Sequence, residues 1–273
     1  MVSSTHRGNG VGNEDEKAKR DLPALRQWVN RLLGLAHEMT VRVRYSEEDH
    51  LAFMVLCFLS KQIDHTRSML ALIPSRDVIL IARSMIEGLC QLLWAAADPA
   101  TRPLQWRAFA WVHDWRVMQT KVAQGELVDP ERRTAIENAL RQYGDQFLTN
   151  KARAARDQGA HLPPDPYHDN WRCGRQIRQI CEAVGGEDLY RRLYEPFSDW
   201  NHWGVRGLGE AIERQGNRVV YSSLSPADSA TALASGFQCL LQTVELTDRH
   251  LGMGLASKVS ELRNCYVASF EAH

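Results

Sequence analysis

The feature that most constrains the fold is an apolar run from Ser75 to Asp98, with the sequence SRDVILIARSMIEGLCQLLWAAAD. Ser75 is a suitable N-cap, and Asp77 places a carboxylate in the first turn, where the helix dipole favours a negative charge. The Asp98-Pro99 step ends the run, because a residue before proline disfavours helical dihedral angles. The run therefore predicts one long helix, which we expect to be too short and too polar to span a membrane.

A polar patch interrupts the apolar surface of this predicted helix. At about 100° per residue, one sector of roughly 140° holds Arg83, Ser84, Glu87, Gly88 and Gln91. Leu80 and Trp94 project into the same sector, above and below the patch. They indicate a covered face, although a solvated i,i+4 salt bridge between Arg83 and Glu87 is the simpler alternative. A covered pair needs further hydrogen bonds, so the sector predicts either a structural clasp or a functional site.

The rest of the chain also reads as helix. Apolar residues recur at helical spacing from Asp21 onward, connections are short, and only residues 218–223 look extended. The sequence predicts an all-α fold, a single multi-helix bundle of about eight or nine helices that spans residues 21–273. Residues 1–20 are rich in glycine, serine and charge, which predicts a disordered N-terminal arm.

The composition limits the partners and the cellular compartment. The 33 basic and 33 acidic residues cancel, so bulk charge gives no case for nucleic-acid or membrane binding, while a local basic patch stays open. Six cysteines occur without a C-x-x-C pair, and the N-terminal residues do not form a signal peptide. We expect a cytoplasmic protein with reduced cysteines and no membrane partner.

A second motif lies in the stretch YEPFSDWNHWGVRG. Tyr194, Ser198 and His202 follow one another at i,i+4 spacing, and Pro196 should kink or restart the helix that carries them. If this helix faces the first one, Arg83 could hold an anion such as a phosphate, and Glu87 could orient His202 as a general acid or base. The Ser198–His202 pair resembles the beginning of a nucleophile–base arrangement, although no G-x-S-x-G elbow accompanies it.

Taken together, R-x-x-x-E at Arg83 and Glu87 and the later Y-x-x-x-S-x-x-x-H motif resemble a widespread bacterial family known as a domain of unknown function. The likeness covers roughly residues 46–255. It implies an all-helical fold and no settled activity.

An RNA-targeting activity is the first hypothesis. The chain is similar in kind to the helical HEPN ribonucleases of toxin and phage-defence systems, which carry R-x(4–6)-H at a dimer interface. That spacing is common here, since it occurs at Arg31/His37, Arg44/His50, Arg107/His113 and Arg156/His161. The likeness is therefore one of fold-level analogy. It predicts a defence- or toxin-type hydrolase that acts on RNA or another phosphate-containing ligand, needs no cofactor and forms a homodimer. Its catalytic candidates are His202, Glu87, Arg83, Ser198 and Tyr194.

Two other hypotheses remain open. In the first, His65, Glu87 and His202 hold a divalent metal in a metal- or small-molecule-dependent enzyme, since imidazole and carboxylate suit iron or zinc. His65 falls on the apolar face of its own predicted helix, where a satisfied core histidine is the more common explanation. In the second, the protein is a non-enzymatic scaffold or regulator, and the Arg–Glu–His cluster is a buried clasp that fixes helix packing.

Overall fold

The computed structural model describes residues 11–41, 43–202, 204–215 and 218–271, and this part of the chain is almost entirely helical. The predicted all-α, helical-bundle fold is confirmed. The helices are α1 (Val11–Val41), α2 (His50–Leu72), α3 (Val78–Ala96), α4 (Arg102–Ala108), α5 (Ala110–Ala123), α6 (Pro130–Tyr143), α7 (Asn150–Asp157), α8 (Ile177–Ala183), α9 (Glu187–Leu189), α10 (Glu195–Asn201), α11 (Val205–Glu210), α12 (Pro226–Leu251) and α13 (Ala256–Glu271). An antiparallel ribbon pairs β1 (Ile212–Gln215) with β2 (Arg218–Tyr221).

The N-terminal helix is longer than the sequence predicts. Its predicted start is Asp21, whereas α1 begins at Val11, so the helix includes part of the predicted disordered arm. Polar residues in this first part of α1 form a surface ion pair and a hydrogen bond to the start of another helix. Lys19 pairs with Glu16, and the Asp15 side chain accepts a hydrogen bond from the Ala227 N–H at the start of α12. Residues 1–10 of the predicted arm lie outside the described residues.

The chain divides into two compact units. The first contains the described residues up to Leu93 and those from Cys181 onward, and the second is Trp94–Ile180. In the first unit α1 packs against α2, α12 and α13, and α12 packs against α2 and α13. The domain boundaries predicted from sequence, one domain over residues 21–273, stay a prediction.

Helices α2 and α3 form an antiparallel hairpin, which the short connection at Pro74 and Ser75 predicts. The Gln62 side chain donates to the Met85 carbonyl, and the His65 ring lies 3.1 Å from the Ser84 hydroxyl. Residues later in α2 therefore contact residues earlier in α3, as expected for antiparallel helices. Helix α12 approaches this hairpin closely at Gly236. A Cβ atom there would lie 3.0 Å from Met69 and 3.3 Å from Met85, so only glycine fits without a shift.

Helix α3 corrects the expectation about membranes. Val78–Ala96 is long and apolar enough to cross a bilayer by length and composition alone. In the structure 56% of that window is buried inside the protein. Burial on most sides explains why this helix is so apolar, because a helix that is surrounded by protein does not need a wide polar face.

The second unit is built from α4 to α7 and the segment that follows. The sequence between Arg102 and Glu126 predicts one helix with several tryptophans, but the structure divides it between α4 and α5 at Phe109. Phe109 packs edge-on against Phe147, with ring centres 5.2 Å apart. The proline-rich segment 158–171 is bound to its own unit. Its Tyr167 pairs with Leu148 in an isolated bridge, and the Arg116 side chain bonds to several of its residues.

A continuous helical segment carries the second motif, and Pro196 explains its shape. It begins as α9, widens into a π-helical turn at Tyr190–Tyr194, and continues as α10 with Pro196 in the first turn. Proline has no N–H for the regular i→i−4 bond, so the wider turn before it accommodates the missing donor. The predicted kink or restart at Pro196 therefore takes the form of a π turn, which includes Tyr194.

Candidate functional site

The site lies in the first unit, where α3 faces the segment from Tyr190 to Asn201, and Arg83 is at its centre. The Arg83 Nε atom donates to the Ser198 hydroxyl at 2.8 Å, and Nη2 donates to the Tyr194 hydroxyl at 2.8 Å. The guanidinium carbon lies 4.6 Å from the centre of the Tyr194 ring. Two hydrogen bonds and one ring contact therefore fix the orientation of the guanidinium.

The Tyr194 hydroxyl connects Arg83 to Glu87. It accepts from Arg83 and donates to Glu87 Oε2 at 3.2 Å. Burial and the nearby Glu87 carboxylate raise the pKa of Tyr194 to about 12, although the Arg83 charge acts in the opposite direction. The phenol therefore keeps its proton near neutral pH and remains a donor to Glu87. The ring also stacks on that of Tyr190, with centres 5.1 Å apart.

Ser198 is oriented for structure rather than for nucleophilic attack. Its oxygen accepts from Arg83 Nε, and its O–H donates to the Tyr194 carbonyl at 2.9 Å. The Ser198 hydroxyl therefore bonds back to a main-chain carbonyl one turn earlier in the same helical segment. A serine nucleophile needs a base at its proton, and this proton is directed to a carbonyl.

Arg83 and Glu87 form a loose pair. Arg83 Nη1 lies 4.0 Å from Glu87 Oε2, at the limit of an ion pair, while Gln91 donates to Glu87 Oε1 at 3.4 Å. The side chains are 20% and 30% exposed, so the pair is neither a surface salt bridge nor fully buried. The covered polar face predicted from Leu80 and Trp94 is thus half covered. Leu80 is partly buried, and Trp94 is buried.

A second contact between the same two segments has no counterpart among the sequence predictions. The Trp200 indole N–H donates to Asp77 at 3.1 Å, and Arg76 lies 5.6 Å from the Trp200 ring and 3.2 Å from Asp228. The sequence pattern assigns Asp77 only to the first turn of its helix. Since no local spacing connects Asp77 to Trp200, a sequence pattern has no means of showing this contact.

His202 is not part of the network. It follows the last residue of α10 as its C-cap, and its side chain is exposed. Within the described part of the chain, no hydrogen bond or ion pair joins its ring to Arg83 or Glu87. The predicted Glu87–His202 contact is therefore absent here. Helix α10 stops at Asn201, and the His202 N–H still closes the last turn on the Ser198 carbonyl, but the His202 side chain is exposed to solvent.

The three predicted metal ligands do not converge either. Among the described residues, no group of three or more His, Cys, Asp or Glu side chains is placed to hold a metal ion. The His65 ring faces Ser84 at 3.1 Å, whereas Glu87 faces Tyr194. Burial, together with the charge of Lys61, lowers the pKa of His65, against a smaller opposing effect of Asp64.

The arrangement defines an all-α protein in which a partly exposed arginine is held between two helical segments by neutral hydroxyl groups. The chain belongs to a family of unknown function, DUF5677, whose model matches residues 52–219, more than half of the 273 residues. The matched segment includes Arg83, Glu87, Tyr194, Ser198 and His202. No curated protein and no solved structure matches the chain.

Proposed function

We propose that the protein binds a phosphate-bearing ligand at Arg83, that RNA is this ligand, and that the reaction is hydrolysis of its phosphodiester bonds. The observation that carries the proposal is the chemistry of the groups that hold Arg83. Both of its short hydrogen bonds go to neutral hydroxyls, those of Ser198 and Tyr194. Hydroxyls fix the orientation of a guanidinium without neutralising its charge, which suits it to hold an anion.

The edge of the guanidinium that includes Nη1 supports the same proposal. Within the described residues Nη1 makes no hydrogen bond, and the nearest carboxylate oxygen, from Glu87, is 4.0 Å away. The Arg83 side chain as a whole keeps 20% of its surface exposed. A phosphate oxygen that reaches Nη1 could accept a charge-assisted bond, worth about 1.5–3 kcal/mol.

His202 is the proposed general acid or base. It lies one turn after Ser198 and is exposed, so a ligand that reaches Arg83 from the solvent side could also meet the imidazole. Histidine is the side chain most often used for proton transfer in catalysis. The balanced net charge of the chain means that affinity for RNA must come from a local site such as this one. The likeness to HEPN ribonucleases is part of the same proposal.

The experiment is an assay of binding and cleavage with a fluorescent RNA oligonucleotide in a buffer that contains a metal chelator. We expect Arg83→Gln to weaken binding about tenfold or more, the equivalent of one charge-assisted bond. We expect His202→Ala to abolish cleavage while binding changes by less than about threefold, because the exposed ring makes no contact with Arg83.

Two matched variants control for charge and for histidine content. Arg67→Gln removes an exposed arginine of α2, and His37→Ala removes an exposed histidine of α1. Both should behave as the unsubstituted protein does. If Arg83→Gln and His202→Ala also bind and cleave RNA normally, or if the unsubstituted protein does neither, the proposal is wrong.

A structural role is the second candidate, and one observation favours it. The hydroxyls of Tyr194 and Ser198 each accept one hydrogen bond and donate another, so both hydroxyl protons are already used within the network. In a purely structural clasp, Arg83→Gln lowers the free energy of unfolding and leaves RNA binding at the level of the Arg67→Gln control. Measurement of stability and binding on the same variants separates the two candidates.

A further inference from the structure

Two cysteines that are far apart in sequence meet inside the first unit. Cys90 lies in α3 and Cys181 in α8, and their sulfur atoms are 2.7 Å apart. Their residues are 1% and 0% exposed, and both are free thiols. A disulfide needs a separation of about 2.05 Å, so the sulfurs would have to approach by only about 0.7 Å.

We propose that Cys90 and Cys181 form a redox-active dithiol, which a hydroperoxide oxidises to an intramolecular disulfide. This inference is independent of the proposed activity on RNA. No sequence motif announces the pair, because a C-x-x-C spacing places two cysteines close together locally, whereas these two meet only through folding.

The position of Cys181 gives the oxidant a route to a buried sulfur. Helix α8 is only seven residues long, and Glu182 and Ala183, which follow Cys181, are exposed. The helix is followed by Gly185 and Gly186, and the Gly186 N–H donates to the Cys181 carbonyl. A seven-residue helix followed two residues later by a pair of glycines has few internal hydrogen bonds, so brief local unfolding at the end of α8 would expose the Cys181 thiol.

The two thiols differ in the direction in which the protein shifts their pKa values. The Cys181 S–H donates to the Cys90 sulfur. Once Cys181 loses this proton, the Cys90 S–H can donate to the charged sulfur, and this hydrogen bond lowers the pKa of Cys181, whereas burial and the Glu87 charge act against this. The same hydrogen bond, together with burial, raises the pKa of Cys90. Cys181 also lies next to exposed residues at the end of the short helix α8, so in this proposal it is the attacking sulfur, and Cys90 is the resolving one.

The reaction balances without any other reagent. The Cys181 thiolate attacks one oxygen of the hydroperoxide, the O–O bond breaks, and the departing alkoxide takes a proton to leave as an alcohol, or as water from hydrogen peroxide. Cys181 is then a sulfenic acid. The Cys90 sulfur attacks it, the S–S bond forms, the S–O bond breaks, and hydroxide leaves with the Cys90 proton as water. Two electrons pass from the dithiol to the peroxide.

The disulfide would connect α8 to α3 within one turn of Glu87. Cys90 follows Glu87 by three residues, so the bond would form beside the carboxylate that accepts from Tyr194. Cys239 is another buried cysteine of the first unit and the competitor for pairing, but it is fully buried in α12, and burial raises its pKa to about 12. A thiol that rarely ionises reacts slowly with peroxide.

The test uses the full chain with the two exposed cysteines removed, as the double variant Cys57→Ser and Cys265→Ser. After treatment with hydrogen peroxide, the intact mass should fall by about 2 Da, the loss of two hydrogens. Peptide mapping without reduction should then show one disulfide, between Cys90 and Cys181. Dithiothreitol should restore the original mass and both free thiols.

Other results overturn the inference. These are a Cys90–Cys239 disulfide, oxidation confined to single cysteines as sulfinic or sulfonic acid, or two thiols that still alkylate fully after peroxide treatment and denaturation. As a matched control, Cys239→Ala in the same background should keep the 2 Da loss, whereas Cys181→Ala should abolish it. Circular dichroism on each variant shows whether a lost crosslink reflects lost chemistry or a lost fold. The peptide map of the Cys57→Ser and Cys265→Ser double variant tests the inference even if the additional variants do not fold.

Discussion

Arg83 in the first unit and Arg116 in the second are equally covered, but they have different partners. Their side chains are 20% and 23% exposed. Arg116 bonds to the Asp165 carboxylate at 2.8 Å and to the carbonyls of Tyr167 and His168 at 3.2 and 3.1 Å. Arg83 bonds to two hydroxyls, and its nearest carboxylate oxygen is 4.0 Å away.

The comparison teaches that exposure alone does not identify a binding arginine. A carboxylate at hydrogen-bond distance offsets the charge of Arg116, and the two carbonyls use its donors to hold a loop in place. Arg83 is held by two hydrogen bonds to hydroxyls, and because a hydroxyl is neutral, these partners do not offset the positive charge. The chemistry of the acceptors therefore separates a structural arginine from a candidate ligand-binding one.

The largest expected effect comes from Arg116→Ala. It removes three hydrogen bonds, one of them charge-assisted, and should lower the free energy of unfolding by about 2–3 kcal/mol. Segment 158–171 should also become sensitive to limited proteolysis. Arg141→Ala, which removes an exposed arginine that donates to Asn138 of its own helix α6, is the control and should change stability little. A protease-resistant loop in Arg116→Ala would show that Arg116 does not hold it.

Tyr194→Phe should have the next largest effect. It removes the hydroxyl that accepts from Arg83 and donates to Glu87, and it should cost about 1–2 kcal/mol because both partners lose a bond in a half-covered site. Urea denaturation measures the change. Tyr221→Phe, at an exposed residue of β2, controls for the loss of a phenol. Equal stability of the two variants would mean that the network contributes nothing to folding.

Ser198→Ala should cost about 1 kcal/mol, and it tests the orientation of the guanidinium. The change removes the acceptor for Arg83 Nε, while the Tyr194 hydroxyl still holds Nη2. Affinity for the RNA oligonucleotide should fall several-fold, because a less fixed arginine loses more entropy on binding. Ser198→Thr keeps the hydroxyl and should restore most of the affinity. If Thr and Ala behave alike, the hydroxyl is not the group that matters.

The smallest effect is a pH dependence from His65, next to the Arg83 network. Burial lowers the pKa of His65 below that of the unfolded chain, so the unfolded state binds a proton more readily. This contribution to stability is present above pH 6.5 and is lost as pH falls through the lower, folded pKa. The urea midpoint should drop less between pH 7.5 and pH 5 in His65→Gln than in the unsubstituted protein. Exposed His37→Gln is the control, and identical pH profiles for all three would contradict the prediction.

Local periodicity predicts most of the network from the sequence alone. The i,i+4 spacing of Arg83 with Glu87, and of Tyr194 with Ser198, places each pair on one helix face, and the two faces do meet. His202 also lies one turn after Ser198, and its N–H donates to the Ser198 carbonyl, but its exposed side chain makes no hydrogen bond to Glu87 within the described residues, so its role as a site residue stays a prediction. Local periodicity gives no sign of the contact between Trp200 and Asp77, which are 123 residues apart.

The sequence by itself determined the helices and the polar sector on α3, because hydrophobic spacing, capping residues and proline act within a few residues of one another. Only the tertiary structure decided that Arg83 is held by neutral hydroxyls at a distance from Glu87, that His202 lies outside the network, and that Cys90 meets Cys181. These contacts join segments as many as 115 residues apart. Their partners and distances depend on how whole helices pack, and no local pattern in the chain encodes that packing.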